Sequence, residues 1–173
     1  MTPQFRGLLR EGLLHGDPRA CLTLGVLAAP TDALLALVLF EAAIAKAPAA
    51  AASAAAAADI VSEAFWQAAQ LHSRDNPPRM VEALSLSLAA GASVRATRQL
   101  GLCYLRGFGV ARNTARAKEL LRAALERLCA ERDAAASAAS GGGGHEDAAI
   151  AAALGVEYVL RQELAAAEET AAP

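Results

Sequence analysis

The sequence predicts an all-α chain built from paired helices, and three observations carry that expectation. Apolar residues recur at three- and four-residue spacing, the period of a helix face, with no sustained alternation of the kind a half-buried strand shows. The segments so defined are separated by short turns carrying Gly, Pro, Asn or Asp, the residues that stop and cap helices. The apolar fraction, 55% of 173 residues, is mostly alanine, with aromatics at only 4%. A core of that composition is made by helices approaching closely through Ala and Leu.

Residues 3–15 read as a first helix with Leu8, Leu9 and Leu13 as its buried stripe, ended by Gly16-Asp17-Pro18. Arg6, Arg10 and Arg19 around Phe5 and those leucines also fit a mitochondrial presequence. Glu11 and Asp17 oppose it, since such peptides are poor in acids, and a packing helix is the preferred reading. A second helix over 19–29 carries Ala20, Leu24, Gly25 and Ala28, and Pro30 stops it. Thr31 or Asp32 caps the next, 32–46, which runs through Leu35, Val38, Leu39 and Ala42-Ala43. Residues 47–58, almost pure alanine with Pro48 and Ser53, read as an Ala-rich connector, either helical or mobile. Ala64, Ala68 and His72 form the ladder of a helix over 59–73, beside Phe65-Trp66. Asn76-Pro77-Pro78 supplies cap and first turn for 78–90, and Gly91 stops it.

The stretch 93–132 is the most regular. Ala96, Leu100 and Tyr104 share one face of a helix over 93–106, with Gly101 beside them where a Cβ would obstruct close approach. Gly107-Phe108-Gly109-Val110 ends that helix and reverses the chain, its glycines free to take positive φ and Phe108 and Val110 expected to plug the gap between helices. Asn113 caps a helix over 114–132 that carries Ala117, Leu120, Leu121, Ala124 and Leu125. Residues 134–145 have linker composition. A last helix over 147–167 carries Ile150, Leu154, Gly155 and Tyr158 before a polar end with Glu168 and Glu169.

Ala96-x-x-x-Leu100-Gly101-x-x-Tyr104-x-x-Gly107-x-Gly109-Val110, then Ala117 and Ala123-Ala124, resembles one Sel1-like repeat, a relative of the tetratricopeptide (TPR) repeat. Ala20, Leu24-Gly25 and Ala42-Ala43 look like a degenerate copy. Residues 59–90 look like another, with 34 residues from Ala89-Ala90 to Ala123-Ala124, the period of such helix pairs. Residues 150–158 repeat the first-helix signature as a terminal half repeat. The resemblance implies a right-handed α-solenoid of antiparallel helix pairs that binds other proteins, with enzyme activity the exception. The expected organisation is a repeat domain over 1–133, a linker over 134–145 and a capping helix with an acidic tail over 146–173.

Composition narrows the function classes further. A net charge of -2 gives no global attraction to nucleic acid or membranes. No run approaches the roughly 18 apolar residues of a membrane span; the nearest, from Ala33 to Ala45, contains Glu41. Cys21, Cys103 and Cys129 are odd in number and widely spaced, against a disulfide framework or zinc site and in favour of a reducing, intracellular compartment, cytoplasmic or mitochondrial. His145-Glu146-Asp147 lacks the second histidine of a metalloprotease helix, and Gly107-x-Gly109 lacks the strand and third glycine of a dinucleotide loop. Neither a catalytic group, a metal, a cofactor nor a small-molecule substrate is expected.

Charge is unevenly placed. Residues 92–133 hold nine Lys or Arg against four acids, whereas 134–173 hold one Arg against six acids. Solvated faces laced by pairs such as Arg122 with Glu126 account for this most simply. The sharper expectation is a non-catalytic adaptor or scaffold subunit whose first helices line a groove, with Arg95, Arg98, Gln99 and Arg106 turned toward a protein partner. The alternative is a ribonucleoprotein subunit contacting RNA, not DNA, through the basic surface over 95–132.

Overall fold

The computed structural model describes residues 7, 10, 13–91, 93–138, 158–159 and 161–167. They form six helices, α1 (Pro18–Ala28), α2 (Ala33–Ala50), α3 (Ala54–Asp75), α4 (Pro77–Gly91), α5 (Val94–Arg106) and α6 (Thr114–Ala138), with a further helical turn at 161–167 and no strand among the described residues. The chain is all-α. Most of the expected first helix, the glycine run and the signature at 150–157 lie outside the described residues. Two compact units divide it, Met1–Ser93 and Val94–Pro173, so the division falls inside the expected 1–133 domain.

Within the first unit the helix starts are set by caps. Asp17 accepts from Arg19 N at 2.9 Å with Pro18 opening α1, Asp32 accepts from Leu35 N at 3.0 Å, and Ser53 Oγ accepts from Ala56 N at 3.1 Å. Asn76 Oδ1 does the same for Arg79 N at 3.2 Å, ahead of α4. Each satisfies an amide that the helix itself leaves unbonded, a contribution of about 1 kcal/mol.

The alanine-rich connector is largely helix. α2 runs to Ala50 through Pro48 and α3 opens at Ala54, leaving only residues 51–53 between them. Alanine's helix propensity and the complete burial of Ala47 beside Cys21, Ala43 and Ile60 carry α2 past its expected end. That extension also corrects the expectation about membrane-spanning length. α2, with 18 residues and mean hydropathy 1.8, is long and apolar enough to cross a membrane by length and composition. In the first unit its Ala36 and Phe40 pack with Ala64 of α3, and its Ala43 and Ala47 pack with Cys21 of α1 and Ile60 of α3. Leu34, Leu35 and Val38 at its start are exposed.

α3 and α4 meet through small polar groups. Ser87 Oγ donates to Ser62 O at 2.8 Å and lies 3.1 Å from Ser62 Oγ, both side chains being buried. A Cβ on Gly91 would stand 3.0 Å from Ser62 Cβ. The buried residues of α4 are Met80, Val81, Ala83, Leu84 and Ser87, while Ala89 is exposed and Ala90 half-buried.

The helix pairs α1–α2 and α5–α6 share one crossing. A Cβ on Gly25 would come 2.5 Å from Phe40 Cε1 and 3.3 Å from Leu39 Cβ; one on Gly101 would come 3.1 Å from Leu121 Cγ and 3.4 Å from Leu120 Cβ. Aligned on those contacts, Ala36, Phe40, Ala43 and Ala47 of α2 correspond to Ala117, Leu121, Ala124 and Leu128 of α6, and all eight are buried. Missing side-chain bulk on one helix lets a two-residue ridge of the other seat against its backbone.

Candidate functional site

α5, its following turn and the start of α6 hold the residues singled out from the sequence. Ala96, Leu100 and Gly101 are buried, Tyr104 is half-buried, and Ala117 and Ala124 of α6 are fully buried. Gly107 and Gly109 have φ of 72° and 74°, a left-handed conformation that costs other residues energy and glycine little. The turn they make is closed by Phe108 N donating to Cys103 O at 3.0 Å and Asn113 N donating to Tyr104 O at 2.9 Å. Asn113 Oδ1 then accepts from Arg116 N at 2.9 Å and starts α6 as expected.

Phe108 is not the expected plug. It is 44% exposed, because a one-residue excursion between two positive-φ glycines points its ring away from the packed faces. It borders a groove of about 280 Å³ whose walls are Gln99, Leu102, Cys103, Arg106, Gly107 and Phe108. Gln99 and Arg106, two of the four expected partner-binding residues, are thus brought together, with Leu102 and Cys103 as an apolar floor.

Arg98 is placed differently. Its Nε donates to Glu163 Oε2 at 2.8 Å and its Nη2 to Glu163 Oε1, a bidentate pair with the helical turn at 161–167. The hydrogen bond to Glu163 raises the Arg98 pKa further above its ordinary value, against the opposing cost of desolvation. The expectation that Arg98 offers its fork to a partner is corrected to this extent: the fork is already filled by the chain's own carboxylate. Beside that pair Leu164 and Ala167 pack on Leu121, Ala124 and Leu128. Arg95 is exposed and engaged in contacts of its own.

The basic excess of this unit is partly neutralised in the same way. Arg116 pairs with Glu119 at 2.8 Å and Arg132 with Asp133 at 2.9 Å. Arg106 and Arg112 form no ion pair among the described residues, and both are exposed. Arg112 lies against the turn, its Cβ 3.4 Å from where a Cβ on Gly107 would stand. Sequence reasoning assigned Phe108 to packing at the turn and counted Arg112 only in the basic excess over 92–133. Their signal was an aromatic and a basic residue within a turn already fixed by its glycines, where neither is needed for the reversal.

Nucleophilic chemistry finds little here. Burial pushes the Cys103 thiol up from its ordinary range, and the nearby Arg106 charge offsets that only in part, so the side chain is held as the neutral thiol, the unreactive form. The described part of the second unit contains no histidine to act as its base. In the first unit a recess of about 230 Å³ includes Glu41, His72, Arg79 and Glu82 in its lining. Among the described residues no three His, Cys, Asp or Glu side chains converge as a metal site would require. Comparison with family models, with curated proteins and with solved structures finds no match to this chain.

Proposed function

We propose that this chain is a non-catalytic protein–protein interaction module, an adaptor or scaffold subunit built as a Sel1-like, TPR-like α-solenoid of antiparallel helix pairs. The observation that carries the reading is the shared crossing, in which Gly25 seats against Leu39-Phe40 and Gly101 against Leu120-Leu121 with the same buried stripe behind each. Recurrence of one crossing in two helix pairs is the pattern of a repeat array, and such arrays present faces suited to other chains. Cys21 and Cys103, both free and buried, suit a reducing intracellular compartment, cytoplasmic or mitochondrial. The module acts with no cofactor and no small-molecule substrate.

A ribonucleoprotein subunit, with the 95–132 surface on RNA, is the second reading, favoured by Arg106, which makes no ion pair among the described residues and shares a groove with the exposed Phe108. Retention of partners from the source cell by the immobilised full chain at two salt concentrations separates the two. Protein held by apolar anchors resists the higher salt, whereas phosphate contacts weaken steeply with it. Recovery of nucleic acid alone, lost at the higher salt, would reject the first reading.

A further inference from the structure

Resting on that reading, we infer that the groove at the glycine turn is a docking site for an acidic peptide segment of a partner protein, one apolar side chain of which enters between Phe108 and Leu102. Size is the first argument. The groove is open to solvent and, at about 280 Å³, lies at the lower edge of the roughly 300–1,000 Å³ of small-molecule pockets. It suits one anchoring side chain whose neighbours remain outside.

Charge is the second. The lining contains no carboxylate, Arg106 stands on the rim, and Arg112 stands against the adjoining Gly107 backbone. The other two basic residues whose pairs are resolved in α6, Arg116 and Arg132, have their acids within the chain, as does Arg98 of α5. Arg106 on the recess and Arg112 at the adjoining turn, neither in an ion pair among the described residues, match an apolar residue flanked by Asp or Glu, since an arginine fork can take a carboxylate through two hydrogen bonds.

Polar reach is the third. Gln99 is half-buried in the groove wall and its amide makes no hydrogen bond among the described residues. A side-chain amide both donates and accepts, which is what the backbone of an extended peptide requires. The ring of Phe108, held out by two positive-φ glycines, gives the anchor a flat wall at small conformational cost.

The test pans a displayed library of random dodecapeptides against the full chain, then measures the enriched peptides, as labelled synthetic probes, against the parent, Phe108→Ala, the Arg106→Glu/Arg112→Glu pair and an Arg79→Glu control. Circular dichroism confirms helicity for each variant, all four positions being exposed. The expected result is enrichment of acidic sequences with one fixed aliphatic or aromatic position, and loss of affinity by about tenfold or more in Phe108→Ala and in the double variant but not in the control. Acidic peptides that bind all four proteins equally would overturn the site while leaving the interaction module standing. No enrichment at all, or tighter binding of a labelled oligouridylate with a steep salt dependence, would overturn the peptide as occupant.

Discussion

Gly25 and Gly101 occupy matching positions and differ in how closely the facing helix stands, so the same substitution has different consequences. In Gly101→Ala the new methyl meets a flexible Leu121 side chain at 3.1 Å, while alanine gains about 1 kcal/mol in helix propensity. The two effects nearly cancel, and the melting temperature is expected to stay close to that of the parent. In Gly25→Ala the methyl would sit 2.5 Å from the Phe40 ring, which is itself buried, and overpacking of about 1–3 kcal/mol outweighs the propensity gain. Thermal melts that order these variants the other way would overturn the shared crossing. Gly101→Leu is expected to destabilise by about 1–3 kcal/mol or more. Arg98→Glu is expected to loosen the 161–167 turn, measured by amide exchange of those residues. Adding Glu163→Arg restores part of the loss, a coupling of roughly 1 kcal/mol for a partly solvated pair; no restoration would mean that the pair contributes nothing. At Cys103 the folded thiol titrates above the unfolded one, so between those two values the folded chain binds more protons. Its contribution to stability is therefore full at neutral pH and falls as pH rises past the unfolded thiol value. Chemical denaturation on the alkaline side should show that decline reduced in Cys103→Ala.

Helix starts marked by a polar cap after a turn, at Asp32 and Asn113, were among the most legible parts of the sequence, because caps are local, whereas the ends of α2 and α6 and the start of α3 lie four to six residues from where they were expected. Asp32, Asn113 and the turn glycines Gly107 and Gly109 act where the residue pattern places them. Alanine runs were harder to read, since Ala47 is buried by tertiary contact with Cys21 and Ile60 that no local pattern announces. The buried face of α4 was hard to read for a related reason: Ala89-Ala90 looks like a packing pair, but Ser87 can reach the Ser62 carbonyl and so is a residue that tolerates burial. Replacing Ser87 by Val should cost about 1–3 kcal/mol, by leaving the Ser62 hydroxyl without its partner and crowding the crossing. A denaturant midpoint unchanged from the parent would show that α3 and α4 meet elsewhere. Of the candidate site, Gln99 and Arg106 were foreseen, whereas the pairing of Arg98 with Glu163, 65 residues apart, and the outward ring of Phe108 depend on tertiary placement.

Over the whole molecule, alanine-rich composition translates into helices brought close by small residues, with few large side chains to fill space. Phe40 is the only aromatic that is fully buried among the described residues, and the stripes behind Gly25 and Gly101 are built on Ala36, Ala43, Ala117 and Ala124. Circular dichroism should therefore report a helical chain, and substantial β content would contradict the fold. Uneven charge in the sequence becomes, in the second unit, a set of internal pairs that among the described residues includes neither Arg106, which shares a groove with the exposed Phe108, nor Arg112 of the same turn. The most direct measurement is photocrosslinking in the source cell from the full chain carrying a benzophenone side chain at position 108, with the same group at position 79 as control. A protein partner joined through an acidic segment, specific to position 108 and lost when Arg106 and Arg112 are both changed to Glu, is the expected result. Crosslinks to RNA, or a product pattern identical at the two positions, would contradict a protein-binding module with its site at the glycine turn.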